Sequence, residues 1–151
     1  FPIAIRFSQW KQQDFDAKLA YTEEDLKTFL MPLVEAGIDM FHASNRRYWE
    51  PEFEGSNLNL AGWTKKLTGL PTITVGSVGL KSDFIGLYAG EDAVESQSID
   101  DLVKRMEADE FDMVAIGRAL LSDPEWVKKV KAGDFEEIIP FEKKYAREVY
   151  F

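Results

Sequence analysis

Four near-continuous apolar runs of strand length punctuate the chain, at residues 2–7, 38–43, 71–75 and 111–116. Strands of this kind are covered on both faces, and segments of helical period separate them, so they read as parallel β-sheet in an α/β fold. Two architectures satisfy that pattern: a doubly wound open sheet, or part of a (β/α)8 barrel. Four units in 151 residues is about 38 per unit, and eight would give about 300, within the size range of a barrel with insertions. The expected architecture is therefore a (β/α)8 TIM barrel of which this chain covers the last four β/α units. No internal domain boundary, linker or low-complexity tract is visible.

The helical segments carry their own start and stop signals. Thr22-Glu23-Glu24-Asp25 is a capping box, and Leu26, Phe29, Leu30, Leu33 and Val34 follow at helical spacing until Gly37. Pro32 removes a backbone donor inside this pattern, which predicts a kink. A second helix is expected over 59–67, with Leu60, Trp63 and Leu67 on one face and Gly69 and Pro71 as its end. A third starts near Ser98, with Asp101 as capping partner, and includes Leu102, Val103 and Met106. Asp123-Pro124 opens a fourth, with Trp126, Val127 and Val130 expected inward and Gly133 as its stop. The aromatic tail, Phe141, Tyr145, Tyr150 and Phe151 with Val149, is expected to pack on something.

Charge and composition narrow the function. With 45% hydrophobic residues the chain can bury a core. Its 18 Lys and Arg against 27 Asp and Glu give a net charge of −9, which argues against nucleic-acid and anionic-membrane partners. Zero cysteine excludes a disulfide framework, and a single histidine argues against a zinc site. The sequence has neither a membrane-spanning apolar run nor a signal-peptide pattern. The expectation is a cytoplasmic protein. The opening Phe1-Pro2-Ile3-Ala4-Ile5 has a buried-strand pattern with no lead-in, so the numbering is expected to start inside a larger protein.

In both architectures ligands bind at the C-terminal ends of the strands. Arg6 ends the first run, where a guanidinium is costly unless it meets an anion, a polar ring edge, or a core carboxylate such as Asp39 or Asp112. The second run delivers His42 and then a loop to about Asn57 that is rich in Arg and aromatic residues. His42 reads equally as a satisfied strand-end histidine or a ligand contact. Arg46 and Arg47 are solvated, ligand-facing, or paired with Glu50, Glu52 or Glu54. Gly76-Ser77-Val78-Gly79 and Gly117-Arg118 follow the last two runs. Small residues there let backbone N–H groups approach an anion and Arg118 can clamp it, so the pair reads as a phosphate site.

These motifs, in this order, resemble the old yellow enzyme family of FMN-dependent NAD(P)H:flavin oxidoreductases and ene reductases. Arg6-Phe7-Ser8 is similar to its fifth-strand element, Ala36-Gly37-Ile38-Asp39 leads into a sixth, and Val75-Gly76-Ser77 and Ile116-Gly117-Arg118 resemble the ends of the seventh and eighth. The stretch from Phe41-His42-Ala43-Ser44-Asn45 through Arg46-Arg47-Tyr48-Trp49-Glu50-Pro51 to Gly55 is similar to a bacterial branch. The resemblance implies an FMN cofactor, with Arg6 at the flavin pyrimidine and Gly76, Ser77, Gly117 and Arg118 on its phosphate. It further implies hydride transfer from NAD(P)H to an activated alkene or similar small electrophile. Family members carry the substrate-binding pair and catalytic acid in their first four strands, so no catalytic residue and no metal ligand is assigned here. A missing N-terminal half-barrel or a second copy is the expected partner. The alternatives are a stand-alone phosphate- or nucleotide-binding half-barrel and an interaction fragment that docks through its aromatic tail, both without redox activity.

Overall fold

The computed structural model describes residues 1–11, 14, 16–83 and 93–145. Two compact units divide the chain: Phe1–Gly76 with Asp101–Ala115, and Ser77–Asp100 with Ile116–Phe151.

The first unit is built on a four-stranded sheet of β1 (Ala4–Ser8), β2 (Met40–Ser44), β3 (Thr72–Val75) and β5 (Met113–Val114), in the order β1-β2-β3-β5. Every neighbouring pair is parallel. The four apolar runs are therefore adjacent in chain order, as consecutive strands most often are. The last run is shorter as a strand than its sequence suggests. Phe111 enters the core ahead of it, and only Met113 and Val114 pair with Ile73 and Thr74.

Three helices belong largely to this unit: α1 (Glu23–Glu35), α2 (Leu60–Thr68) and α3 (Asp100–Glu107). Thr22 and Asp25 form the reciprocal capping box expected of them, and α1 continues through Pro32. The Asn59 side chain caps α2 by accepting from Gly62 N, and Gly69 ends it in the left-handed conformation that glycine adopts without a Cβ clash. At α3 the Ser98 hydroxyl accepts from Asp100 N at 3.1 Å.

Side chains alternate across a strand, and the register sorts them into two faces. Ile5, Phe7, Phe41, Ala43, Thr72 and Thr74 share the face on which the helices lie: Phe41, Ala43 and both threonines are fully buried, and the Phe7 ring meets Phe29 of α1 at 5.4 Å. The opposite face carries Ala4, Arg6, Met40, His42, Ser44, Ile73, Val75 and Met113, all half-buried or exposed.

The second unit holds a two-stranded antiparallel pair, β4 (Ala93–Val94) with β6 (Phe141–Glu142), and two short helices, α4 (Arg118–Ser122) and α5 (Trp126–Ala132). Phe141 of the aromatic tail is fully buried here, whereas Val149, Tyr150 and Phe151 lie outside the described residues. One expectation fails on α5. Trp126 is buried, but Val127 is 53% exposed, because one residue of rotation turns it off the inward face of so short a helix. Asp123 is the buried pin of this region: its carboxylate accepts from Glu125 N, Ile139 N and Lys129 Nζ.

Candidate functional site

Arg6 is placed by β1 on the sheet face away from the helices, directly in register with His42 of β2. Its Nη2 donates to Ser44 Oγ at 3.2 Å, and neither core carboxylate takes it. Asp39 accepts from Ile3 N, and Asp112 accepts from Thr72 N and Lys65. A guanidinium exposed on a sheet face and anchored, among the described residues, through a hydroxyl is placed to meet an anion or a polar ring edge. Burial lowers the His42 pKa from its ordinary value and the Arg6 charge beside it pushes the same way, so the imidazole favours its neutral form. His42 Nε2 is buried and has no hydrogen-bond partner among the described residues.

The end of β3 is shaped by a polar network that the sequence reading missed. Asn45, just past β2, donates from Nδ2 to Thr74 Oγ1 at 3.0 Å and Val75 O at 3.2 Å, and accepts from Leu60 N. Asn59 caps α2 and donates to Tyr48 O at 2.6 Å. Together they tie the long loop after β2 to β3 and α2. Gly76 lies against this network: a Cβ there would stand 2.6 Å from Asn45 O, with φ at +146°. Its glycine is therefore required by backbone packing on Asn45, whether or not an anion binds.

In the second unit Ser77 and Arg118 come together across 41 residues of sequence. Arg118 Nη2 donates to Ser77 Oγ at 3.3 Å and Ser82 O at 2.8 Å, Nη1 donates to Asp83 O at 3.1 Å, and the guanidinium lies 5.8 Å from the Phe141 ring centre. Ser77 adopts a left-handed conformation, φ 52°, which turns the chain sharply after Gly76. Gly117 precedes α4, and a Cβ built there meets nothing within 4 Å, so space over its backbone is open. A hydroxyl, an oriented guanidinium and an uncovered backbone stretch are the donor types that hold a phosphate. Gly79 serves packing instead: the Trp126 ring would lie 2.8 Å from its Cβ.

The loop after β2 forms a pocket of about 160 Å³ whose walls include Gln9, Trp10, Lys18, Ser44, Arg46 and Glu52. Gln9, one of the lining residues, is buried and held in place, donating to Ala20 O and Glu52 Oε1 and accepting from Ala20 N. Burial raises the Glu52 pKa, against the Gln9 hydrogen bond and the Lys18 charge that lower it. Arg47 pairs with Glu50, as one of its sequence-level alternatives had it, and the Arg46 guanidinium stands 5.9 Å over the Trp10 ring. Among the described residues no cluster of His, Cys, Asp and Glu could hold a metal ion, and no helix is long and apolar enough to cross a membrane.

No family model matches the chain. The chain is similar to a protein named NADH oxidase from Thermoanaerobacter brockii, at 33% identity over 146 residues that cover 91% of this chain. Those residues are 19% of that relative, so the chain spans about a fifth of its length.

Proposed function

We propose that this chain is the C-terminal half of the FMN-binding (β/α)8 barrel of an NADH-oxidising flavoenzyme of the old yellow enzyme type. The observation that carries the reading is the sheet itself. Four parallel strands run in chain order, α1 and α2 pack on one face, and Arg6 stands on the other, the face that lines the interior of a barrel. A doubly wound sheet would reverse its strand order at a switch point and carry helices on both faces. The similarity to a protein named NADH oxidase supports the redox assignment independently of the fold.

In this reading Ser77, Gly117 and Arg118 hold the FMN phosphate, with the Gly76 and Ser77 amides as further donors. The chemistry that FMN supplies when bound is transfer of hydride from NADH or NADPH to an activated alkene or similar electrophile. Arg6 faces the pyrimidine side, where its fixed positive charge favours negative charge developing on the ring. Ser44 orients Arg6, and His42, neutral beside it, adds no second charge. In this reading the remaining strands come from a preceding half-barrel or from a second copy of this chain, and the substrate-binding residues belong to the family's first four strands.

Expression of the complete protein tests this. It should purify with a flavin absorbance band that NADH bleaches without oxygen and that an electron-poor alkene restores. Colourless protein that takes up no added FMN would refute the assignment.

A further inference from the structure

The loops that follow β1 and β2 are joined at one carboxylate oxygen. Gln9, the residue after β1, donates from Nε2 to Glu52 Oε1 at 2.8 Å, and Lys18 Nζ stands 3.7 Å from the same oxygen. The Gln9 amide is fixed by its own segment. Its Nε2 also donates to Ala20 O at 2.7 Å and its Oε1 accepts from Ala20 N at 2.8 Å, so it pairs with Ala20 as a second peptide group would. The Gln9 backbone carbonyl accepts from Leu19 N as well. With the amide's orientation set from both sides, its second N–H proton is left for Glu52.

Glu52 is the titratable half of this contact. Its backbone N donates to Leu58 O, which fixes its place in the loop, and its side chain is 14% exposed. The charged groups that line the pocket with it are Lys18, Arg46, Arg47 and Glu50. Burial raises the Glu52 pKa and Glu50 adds to the rise, against the Gln9 hydrogen bond and the Lys18 charge. The joined loops therefore hold a proton on Glu52 more tightly than parted, hydrated loops would. By linkage, this contact is fully present below the ordinary value of 4.5 and weakens as pH rises through the raised one. A protonated carboxyl still accepts from Gln9 through its carbonyl oxygen, whereas an ionised one gains the hydration that separation gives.

We propose that Gln9 and Glu52 form a proton-controlled clasp: the loops after β1 and β2 are held together while Glu52 carries a proton, and part as it ionises and takes up water. The clasp lies at the C-terminal ends of the strands, where α/β folds present their ligand sites. Ser44 lines the same pocket as Gln9 and Glu52 and accepts the Arg6 hydrogen bond, so parting the loops widens the approach to Arg6. The clasp rests on the geometry of the first unit and stands whether or not a flavin binds.

Hydrogen exchange read by mass spectrometry on the complete protein tests this in peptides that span Lys18 to Tyr21, because the Leu19 and Ala20 amides both donate to Gln9. Corrected for the intrinsic pH dependence of exchange, their protection should fall as pH rises above 4.5, by up to about tenfold per pH unit, the slope of one linked proton. The Asn45 amide, which donates to Val75 O, should keep its protection throughout. Glu52→Gln, a neutral mimic of the protonated acid, should keep the loops closed and flatten the profile. Lys18→Met removes the cation that favours the ionised form, so it should move the fall to higher pH, whereas loss of a merely structural ion pair would lower protection at every pH. Circular dichroism and the melting temperature show whether each variant folds; if Glu52→Gln does not, the direction of the Lys18→Met shift decides. Protection in the parent that is flat or rises with pH, or that falls identically in folded Glu52→Gln, would overturn the proposal. So would a parallel fall at Asn45, or a Lys18→Met profile that is unmoved, lowered throughout or moved to lower pH.

Discussion

Asn59 does two jobs with one side chain, and separating them tests how the loop after β2 is held. Its Oδ1 accepts from Gly62 N at 2.9 Å, capping α2, and its Nδ2 donates to Tyr48 O at 2.6 Å in a fully buried setting. Asn59→Ala loses the cap, about 1 kcal/mol. It also strands the Tyr48 carbonyl, at about 1–3 kcal/mol for a buried group left without its partner. The sum, about 2–4 kcal/mol, lowers the melting temperature by about 5–15 °C in a chain of this size. Asn59→Asp separates the terms, because the carboxylate keeps the cap and loses the donor. Near neutral pH it places a buried negative charge against the Tyr48 carbonyl and should cost at least as much as alanine. Its folded-state pKa is then raised, so its stability deficit shrinks as pH falls and the acid gains a proton to donate. Thermal melts followed by circular dichroism from neutral to acid pH read both effects. If Asn59→Asp melts like the parent at neutral pH while Asn59→Ala costs only the cap, the Tyr48 bond holds nothing and the loop is ordered by other contacts.

Three further outcomes follow from the same geometry. Gly76→Ala should lower stability by about 1–3 kcal/mol in the melt even without flavin, because φ +146° and the 2.6 Å approach to Asn45 O are properties of the fold. The single imidazole resonance should titrate below its ordinary value of 6.5 and move back up in Arg6→Met, as followed by proton NMR. Because the folded-state pKa is the lower one, the unfolded chain binds the proton first, so the His42 contribution to stability is intact above about pH 6.5 and declines as pH falls through the folded value. In the complete, flavin-saturated enzyme Arg6→Met should lower the reduction potential and slow reduction by the nicotinamide; a potential within error of the parent would remove Arg6 from the flavin edge.

Local signals carried much of the first unit. The capping box at Thr22, the end of α2 at Gly69 and the four parallel runs depend on residues close in sequence or on hydrophobic periodicity, and the structure matches them. What escaped was non-local. The β4–β6 pair is two residues long on each side and joins Val94 to Phe141, so no period announces it. Asn45 reads as a loop polar residue until Thr74 and Leu60 are brought beside it. Gly76 was legible as a special position but not for its actual neighbour, the Asn45 backbone. Arg118 and Ser77, paired on their shared small-residue context, are in hydrogen-bond contact.

The central claim, a flavin phosphate held by Ser77, Gly117 and Arg118, is tested most directly by comparing FMN with riboflavin on the complete apoprotein. Quenching of flavin fluorescence should show FMN binding about ten- to a hundredfold more tightly, as charge-assisted bonds to a phosphate imply. Arg118→Ala, folded by its melt, should bring FMN down toward the riboflavin affinity and leave riboflavin unchanged. Equal affinities for the two flavins, or an Arg118→Ala protein that retains the full preference for FMN, would contradict the account.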